Sequence, residues 1–177
     1  MTGTVWHCHI AVSLDGKIAR PDGSFDWLEG YPAEEFGIGA FLAGVDGILM
    51  GRQTYEAIRR MGDWPYPGKR TIVMTHRPLP DPPEGVEARS GDLGAVAAGF
   101  EQGGCRRVWI EGGSQVIQGM IAARRFDVLE MALIPIVLGD GIPLFRPGTP
   151  ELHLRLASCT QRSRGALHLV YEVAHPA

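Results

Sequence analysis

Arg107-Val108-Trp109-Ile110-Glu111-Gly112-Gly113-Ser114-Gln115-Val116-Ile117 reads as a short buried strand, a paired-glycine turn and the start of a helix. Val108 and Ile110 favour extended backbone, while Ile117, Met120 and Ile121 recur at helical spacing. Ser114 stands where an N-cap would close the start of the helix. Two adjacent glycines let the main chain approach a ligand with no side chain in the way. The free N–H groups and positive dipole end of the following helix suit a phosphate, such as the pyrophosphate of a nucleotide cofactor. A plain strand-to-helix turn would carry the same residues, so this stretch alone leaves both readings open.

A second corner of the same kind lies upstream. Gly47-Ile48-Leu49-Met50 is apolar without alternation, as in a sheet covered on both faces, and it runs into Gly51-Arg52-Gln53-Thr54-Tyr55-Glu56. Here the helix start adds a guanidinium and a hydroxyl, which suit another part of a phosphate group. Lys69 to Thr75 forms a third strand, stopped by His76-Arg77-Pro78. Thr75, His76 and Arg77 then sit at its carboxyl end, where open α/β sheets bind ligands. A basic pair there suits a 2′-phosphate, although a solvated arginine before a proline turn has the same sequence.

Further out, Val5 to Val12 forms the first strand, ending in Ser13-Leu14-Asp15-Gly16-Lys17-Ile18-Ala19. Trp27 and Phe25, in the polar loop that follows, either anchor it or wall a site for a flat ring. Pro32 opens a helix running to about Ala43, with Ile38, Phe41, Leu42 and Val45 on its inward stripe. Glu34 and Glu35 lie in its first turn. They serve the helix dipole there, or one of them edges an apolar site and hands a proton to a ring nitrogen. Downstream come a proline-rich loop, a short strand from Val86, and a helix with Leu93, Val96, Ala97 and Phe100 inward. A long strand (Phe126 to Ile134) and an apolar segment breaking into a glycine loop (Ile136 to Phe145) follow. The tail alternates, with Leu152, Leu154 and Leu156, then Leu167, Leu169, Tyr171 and Val173, about a turn at 162–165; that is an antiparallel hairpin. Early β/α alternation with a β-rich end predicts an α/β fold: a mixed, mostly parallel sheet flanked by helices.

Composition sets limits. A chain of 177 residues is read as a single domain, 1–177, able to bury a sizeable core. A net charge of −3 recommends no nucleic acid, and no apolar run is long enough for a membrane. The opening residues lack a signal-peptide pattern. Three scattered cysteines (Cys8, Cys105 and Cys159) make no disulfide framework and suggest a reducing, cytoplasmic setting.

Met50-Gly51-Arg52-Gln53-Thr54-Tyr55-Glu56 resembles the cofactor corner of dihydrofolate reductase. Ser13 to Ala19, Glu111-Gly112-Gly113 and Leu138-Gly139-Asp140-Gly141-Ile142-Pro143-Leu144-Phe145 resemble the reductase domain of the bifunctional riboflavin-biosynthesis deaminase-reductase. The resemblance spans roughly Trp6 to Val173. It implies the dihydrofolate-reductase-like fold, NADPH as hydride donor, a small pteridine or pyrimidine-like heterocycle as substrate, and a homodimer. It places Gly51, Arg52, Gln53 and Thr54 on the cofactor's phosphates, and Thr75, His76 and Arg77 at its 2′-phosphate end. Gly112, Gly113, Ser114, Gln115 and Ile117 fall on the pyrophosphate and nicotinamide side. Lys17 and Glu111 become candidates to meet across the substrate site, with Asp15 and Trp27 beside it. Glu35, or Glu34, falls where dihydrofolate reductases keep their acidic substrate anchor. No deaminase zinc motif precedes the domain, and the two parent patterns are mixed, so neither parent's substrate carries over by itself.

Three functions fit these residues: an NADPH-dependent reductase, a non-catalytic NADP(H)-binding module or sensor, and a metal-dependent hydrolase. The last rests on His7 and His9, which project from one strand face without a third ligand nearby in sequence. The reductase, with no metal, is the reading that uses most of the motifs.

Overall fold

The computed structural model describes residues 3–174. β1 (Val5–Ser13) lies near the middle of an eight-stranded sheet. Around it stand β3 (Gly47–Gly51), β4 (Arg70–Met74), β5 (Val86–Arg89), β6 (Arg107–Gly112) and β7 (Val128–Ile134), with β9 (Leu154–Gln161) and β10 (Leu167–Val173) at one side. The order is β5-β4-β3-β6-β1-β7-β10-β9. Every pairing from β5 to β7 is parallel, while β10 runs antiparallel to both β7 and β9. The cause is the length of the connections. Parallel neighbours need a crossover, and the helices supply it; the short turn at 162–166 can only reverse the chain. β2 (Lys17–Ala19) and β8 (Ile142–Pro143) form a separate two-stranded ribbon, so the glycine loop after Ile136 contributes only two residues to strand.

Helices cover both faces. α3 (Leu93–Gln102) and α4 (Ser114–Ala122) bury Ala97, Phe100, Ile117 and Met120 against Trp6, Cys8, Val108 and Ile110. On the other face, α1 (Ile38–Ala43) and α2 (Arg52–Met61) bring Phe41 and Tyr55 over Ile48, Met50 and Trp109. The helix expected from Pro32 to Ala43 is broken. Residues Ala33–Phe36 form a 3-10 turn, and Gly37, at φ +76°, swings the chain before α1 begins. Glycine adopts this left-handed conformation without the Cβ penalty, so it ends one helix and starts the next.

One register decides where a site can form. β1 pairs with β6 only over Val5↔Arg107, Trp6↔Val108 and His7↔Trp109. Beyond that point β1 continues alongside β7 to Ser13, and β6 continues alongside β3 to Gly112. The two central strands therefore part company, opening a wedge at the carboxyl edge of the sheet. β3 lies beyond β6 on one side and β7 on the other, so the wedge falls where the strand order switches direction.

Candidate functional site

The two glycine corners meet beside this wedge. Met50 pairs with Gly112, which sets the starts of α2 and α4 next to each other. A Cβ built on Gly51 would lie 3.5 Å from Val116 Cγ2 and 3.7 Å from Gly113 N; one on Gly113 would lie 3.8 Å from Thr54 Oγ1. Side chains at these positions would fill the space between the corners. Neither helix has a side-chain cap. Ser114, read above as the N-cap, is instead the first helical residue and is buried, with Gly113 taking the cap position in extended conformation. First-turn N–H groups are thereby left to water or a ligand, apart from that of Val116, which donates to the Gly113 carbonyl at 3.0 Å.

Arg52 joins this edge to the end of β4. Its Nε donates to Glu56 at 2.6 Å, and its Nη1 donates to Thr75 Oγ1 and to the carbonyls of Arg77 and Pro78, each at 3.2 Å. The guanidinium is thus partly spent in holding the Thr75–Pro78 turn against α2. His76, Arg77, Gln53 and Gln115 are exposed around it. Ile117 is wholly buried in the α4 core, so its side chain packs the floor of the fold.

Glu111 stands where β6 leaves β1. Its Oε1 accepts the Tyr66 hydroxyl at 2.5 Å, and its Oε2 is enclosed without a partner. Burial pushes the carboxyl up to about 8, against the downward pull of the Tyr66 hydrogen bond. Burial, reinforced by Glu111, holds the Tyr66 hydroxyl far above its ordinary value, so it remains a donor. Lys17 forms no ion pair with Glu111; its backbone N–H donates to Ser13 Oγ on the β1–β2 turn. Asp15 has both carboxylate oxygens engaged. Oδ1 accepts from Ser13 Oγ and Leu138 N, and Oδ2 from Gly139 N, pinning the glycine loop to the end of β1. The Ser13 hydrogen bond leads the effects that bring this carboxyl down to about 2.

On the other side of β1 lies a cavity of about 140 Å³, bounded by His9, Leu28, Tyr31, Phe36, Ala132 and Ile134 among others. Trp27 is buried behind it with Phe36, Ala132 and Ile134 and does not line the space. Glu35 does not line the cavity either. Its carboxylate accepts from Ser163 Oγ at 2.7 Å and Ser163 N at 3.3 Å, and Glu34 is exposed. A larger hollow of about 510 Å³ opens at the opposite edge, around Thr4, Arg106 and Arg125. It sits at the amino ends of the parallel strands, away from the edge where such sheets bind ligands.

Beside the smaller cavity is a polar cluster that the sequence reading did not assemble. Glu130 Oε2 bonds His7 Nε2 at 2.8 Å, and Oε1 bonds His168 Nε2 at 2.7 Å. Burial pushes Glu130 up, but the bonds from His7 and His168 and the nearness of His9 bring it down to about 2. His9 is pulled down to about 4, chiefly by burial, and is therefore neutral. Ligand atoms of His9, Glu130 and His168 lie within 4.8 Å of one another, which supplies the third group a metal site on β1 lacked in sequence. The hydrogen-bond polarity runs against ligation, however. Arg162 Nη2 lies 3.2 Å from His168 Nδ1, and a guanidinium only donates. His168 Nδ1 must accept, so its proton sits on Nε2 and points at Glu130; a ligating imidazole needs the opposite arrangement. The sequence held a signal for this cluster. Glu130 shares strand parity with buried Ala132 and Ile134, and a carboxylate on the inward parity demands partners. Tyr66 had no comparable signal, since it lies in a loop.

A parallel-centred sheet with two glycine corners at its carboxyl edge and an antiparallel C-terminal strand pair defines the dihydrofolate-reductase-like class. In keeping with it, a dihydrofolate reductase from Enterococcus faecalis, solved with NADP(H), superposes with a TM-score of 0.71 at 18% identity, covering 97% of each chain. The chain itself belongs to the RibD C-terminal domain family, which it matches over residues 6–168. It is 36% identical over 165 residues to the uncharacterized protein YwjB of Bacillus subtilis, covering 92% of this chain and 95% of that one. A solved structure from Shewanella sp. PV-4, named for riboflavin biosynthesis, matches with a TM-score of 0.86 at 28% identity over 97% of this chain and all of the other.

Proposed function

We propose that this protein is an NADPH-dependent reductase that transfers hydride to a pteridine or ribosylaminopyrimidine-like heterocycle. The observation that carries the reading is the juxtaposition of two uncapped helix starts, at Gly51 and Gly113, beside a wedge that holds a high-pKa carboxyl. The residues present fit a dinucleotide. The α2 and α4 N–H groups, with Thr54 between them, offer donors to a pyrophosphate. His76 and Arg77 offer exposed basic side chains to a terminal 2′-phosphate, and Thr75 Oγ1 with Arg52 fixes the turn that presents them. The cofactor would supply the hydride; the chain supplies orientation and the proton.

Glu111 is the group placed to hold that proton. Its Oε1 already accepts from Tyr66, so the carboxyl proton resides on Oε2, the enclosed and unpartnered atom. A carboxyl with a pKa of about 8 remains largely protonated at neutral pH, and it would donate to a ring nitrogen once the side chain turns its enclosed Oε2 toward the wedge. Lys17, on the ribbon next to the wedge, would meet a substrate's polar tail. Asp15 supports it indirectly by fixing the loop that carries β8, the partner of β2.

The assembly we infer is a homodimer joined through β9. Seven of its eight residues are exposed, and Leu156 is half-exposed on an edge strand with unpaired backbone groups. A second copy would cover both. Activity is tested by NADPH oxidation with a panel of dihydropterins and ribosylaminopyrimidines. Turnover of at least one class is the expected result. Tight binding of NADPH with no turnover of any would make the protein a cofactor-binding module instead.

A further inference from the structure

Between α2 and β4 the chain runs through Gly62-Asp63-Trp64-Pro65-Tyr66-Pro67-Gly68 without regular structure. Little ties this segment down. Among the described residues its backbone makes one hydrogen bond, a local one from Lys69 N to the Tyr66 carbonyl at 3.3 Å. The one hydrogen bond that reaches the body of the fold is that of the Tyr66 hydroxyl to Glu111 Oε1. Glycines bound the segment. Gly62 has φ +135° and ψ −140°, Gly68 has φ +74°, and a Cβ on either would meet nothing within 4 Å. The backbone can therefore turn at both ends without striking a neighbour, while Pro65 and Pro67 fix φ between them. The inward side chains are aromatic. Tyr66 is buried edge-on against Trp109 at 5.4 Å and Trp64 at 5.1 Å, and Trp64 meets Tyr55 at 5.8 Å. Within that cluster Trp64 Nε1 and the Tyr55 hydroxyl are enclosed with no hydrogen-bond partner. Closure thus leaves two polar groups unpaired, a cost that contact with water removes.

We propose that the 62–68 segment is a hinged strap latched by Tyr66 on Glu111, and that its opening frees the carboxyl to turn Oε2 toward the wedge and to exchange its proton with bulk water. In the closed form the latch holds Oε1, and Oε2 is enclosed. Opening carries the hydroxyl away, so the carboxyl can rotate. The proton balance is simple. Glu111 gives its carboxyl proton to a ring nitrogen, becomes a carboxylate, and takes a proton back from water while the strap is open. Tyr66 keeps its own proton throughout and is a positioning residue, acting through Glu111. Opening is a minor state, of the kind open to segments with few backbone hydrogen bonds. The use made of the Glu111 proton rests on the reductase reading; the movement itself needs neither cofactor nor turnover.

The test follows exchange of the indole N–H groups with deuterium on the full chain without ligand. Trp64 Nε1–H has no hydrogen bond, so only closure of the strap shields it. Trp109, bonded to the His9 carbonyl, and Trp27, enclosed elsewhere, are the references. Labelling of Glu111 by a water-soluble carbodiimide with an amine, read by peptide mass, follows the carboxyl in parallel. Gly62→Ala strains the closed hinge and Tyr66→Phe removes the latch. Each is expected to raise Trp64 exchange by about tenfold, with Trp27 and Trp109 unchanged, and to raise Glu111 labelling in step. The inference is overturned if Trp64 exchanges only on global unfolding, if either variant leaves it unchanged, if all the indoles accelerate together, or if Glu111 labelling does not follow. Strap opening in a protein that never oxidises NADPH would sink the reductase reading and leave the movement standing. Turnover with a Trp64 indole that never opens would do the reverse.

Discussion

Tyr66 and Glu111, 45 residues apart in sequence, share a 2.5 Å hydrogen bond at the point where β6 separates from β1. The hydroxyl engages one carboxylate oxygen and leaves the other enclosed and unpaired, so the pair gives the wedge both a fixed geometry and a proton-bearing atom. Tyr66→Phe removes the one hydrogen-bond donor to Glu111 Oε1 among the described residues. We expect a loss of about 1–3 kcal/mol in chemical denaturation. The pKa of Glu111 should also move further up, because that hydrogen bond is what pulls it down. A downward movement, read by carboxyl carbon-13 titration, would contradict this account.

Stability should be flat with pH in the mildly acidic range and fall on both sides. Glu111 rises from 4.5 to about 8 on folding, so across that interval the folded state holds the extra proton and stability declines as pH rises. His9 falls from 6.5 to about 4, so the unfolded state holds the extra proton and stability increases with pH. Between about 4.5 and 6.5 the two slopes oppose each other. Above that, Glu111 alone drives a decline. Glu130, lowered from 4.5 to about 2, adds a loss as pH falls through that window. Glu111→Gln should abolish the alkaline decline and be more stable than wild type near pH 8 by on the order of 2–4 kcal/mol, measured by urea unfolding across pH.

Arg52 and Arg77 are expected to separate in their effects. Arg77→Ala keeps the main-chain carbonyl that Arg52 binds, so the fold is unaffected while NADPH loses about tenfold in affinity and NADH does not. Arg52→Ala frees the Thr75–Pro78 turn. Both cofactors should weaken, with faster amide exchange from Thr75 to Leu79. Tryptophan-fluorescence titrations with each cofactor measure the difference. Equal weak affinity of wild type for both would remove the role given to Arg77.

The β9 edge should carry the dimer. Leu156→Asp is expected to give a monomer by light scattering with the thermal midpoint of the monomeric unit little changed, since the side chain is half-exposed. A wild-type monomer at high concentration would dismiss this assembly.

The glycine loop offers a purely structural check. A Cβ on Gly141 would stand 2.3 Å from the Ala19 carbonyl oxygen, and its φ is +142°. Gly141→Ala should detach β8 from β2, seen as loss of protection at Lys17 to Ala19 and a cost above about 1 kcal/mol.

The sequence by itself determined most strands and helices of the fold, though not the break at Gly37, because apolar period and glycine corners are local signals that survive without knowledge of neighbours. Gly51-Arg52 and Gly112-Gly113 announced themselves as chain corners, and the alternating tail announced its hairpin. Only the tertiary structure decided what the side chains do. Glu130 meets His7 from 123 residues away and His168 from 38, and Glu35 turns to Ser163 from 128 away. The Glu130 partners are fixed by the register of β1, β7 and β10, and Ser163 by the turn between β9 and β10, neither of which a local pattern contains. The wedge has the same origin, since it exists only because β1 follows β7 and β6 follows β3 after their short shared run. A carboxylate's chemistry depends on its neighbours within a few ångströms, and in this chain those neighbours come from distant strands.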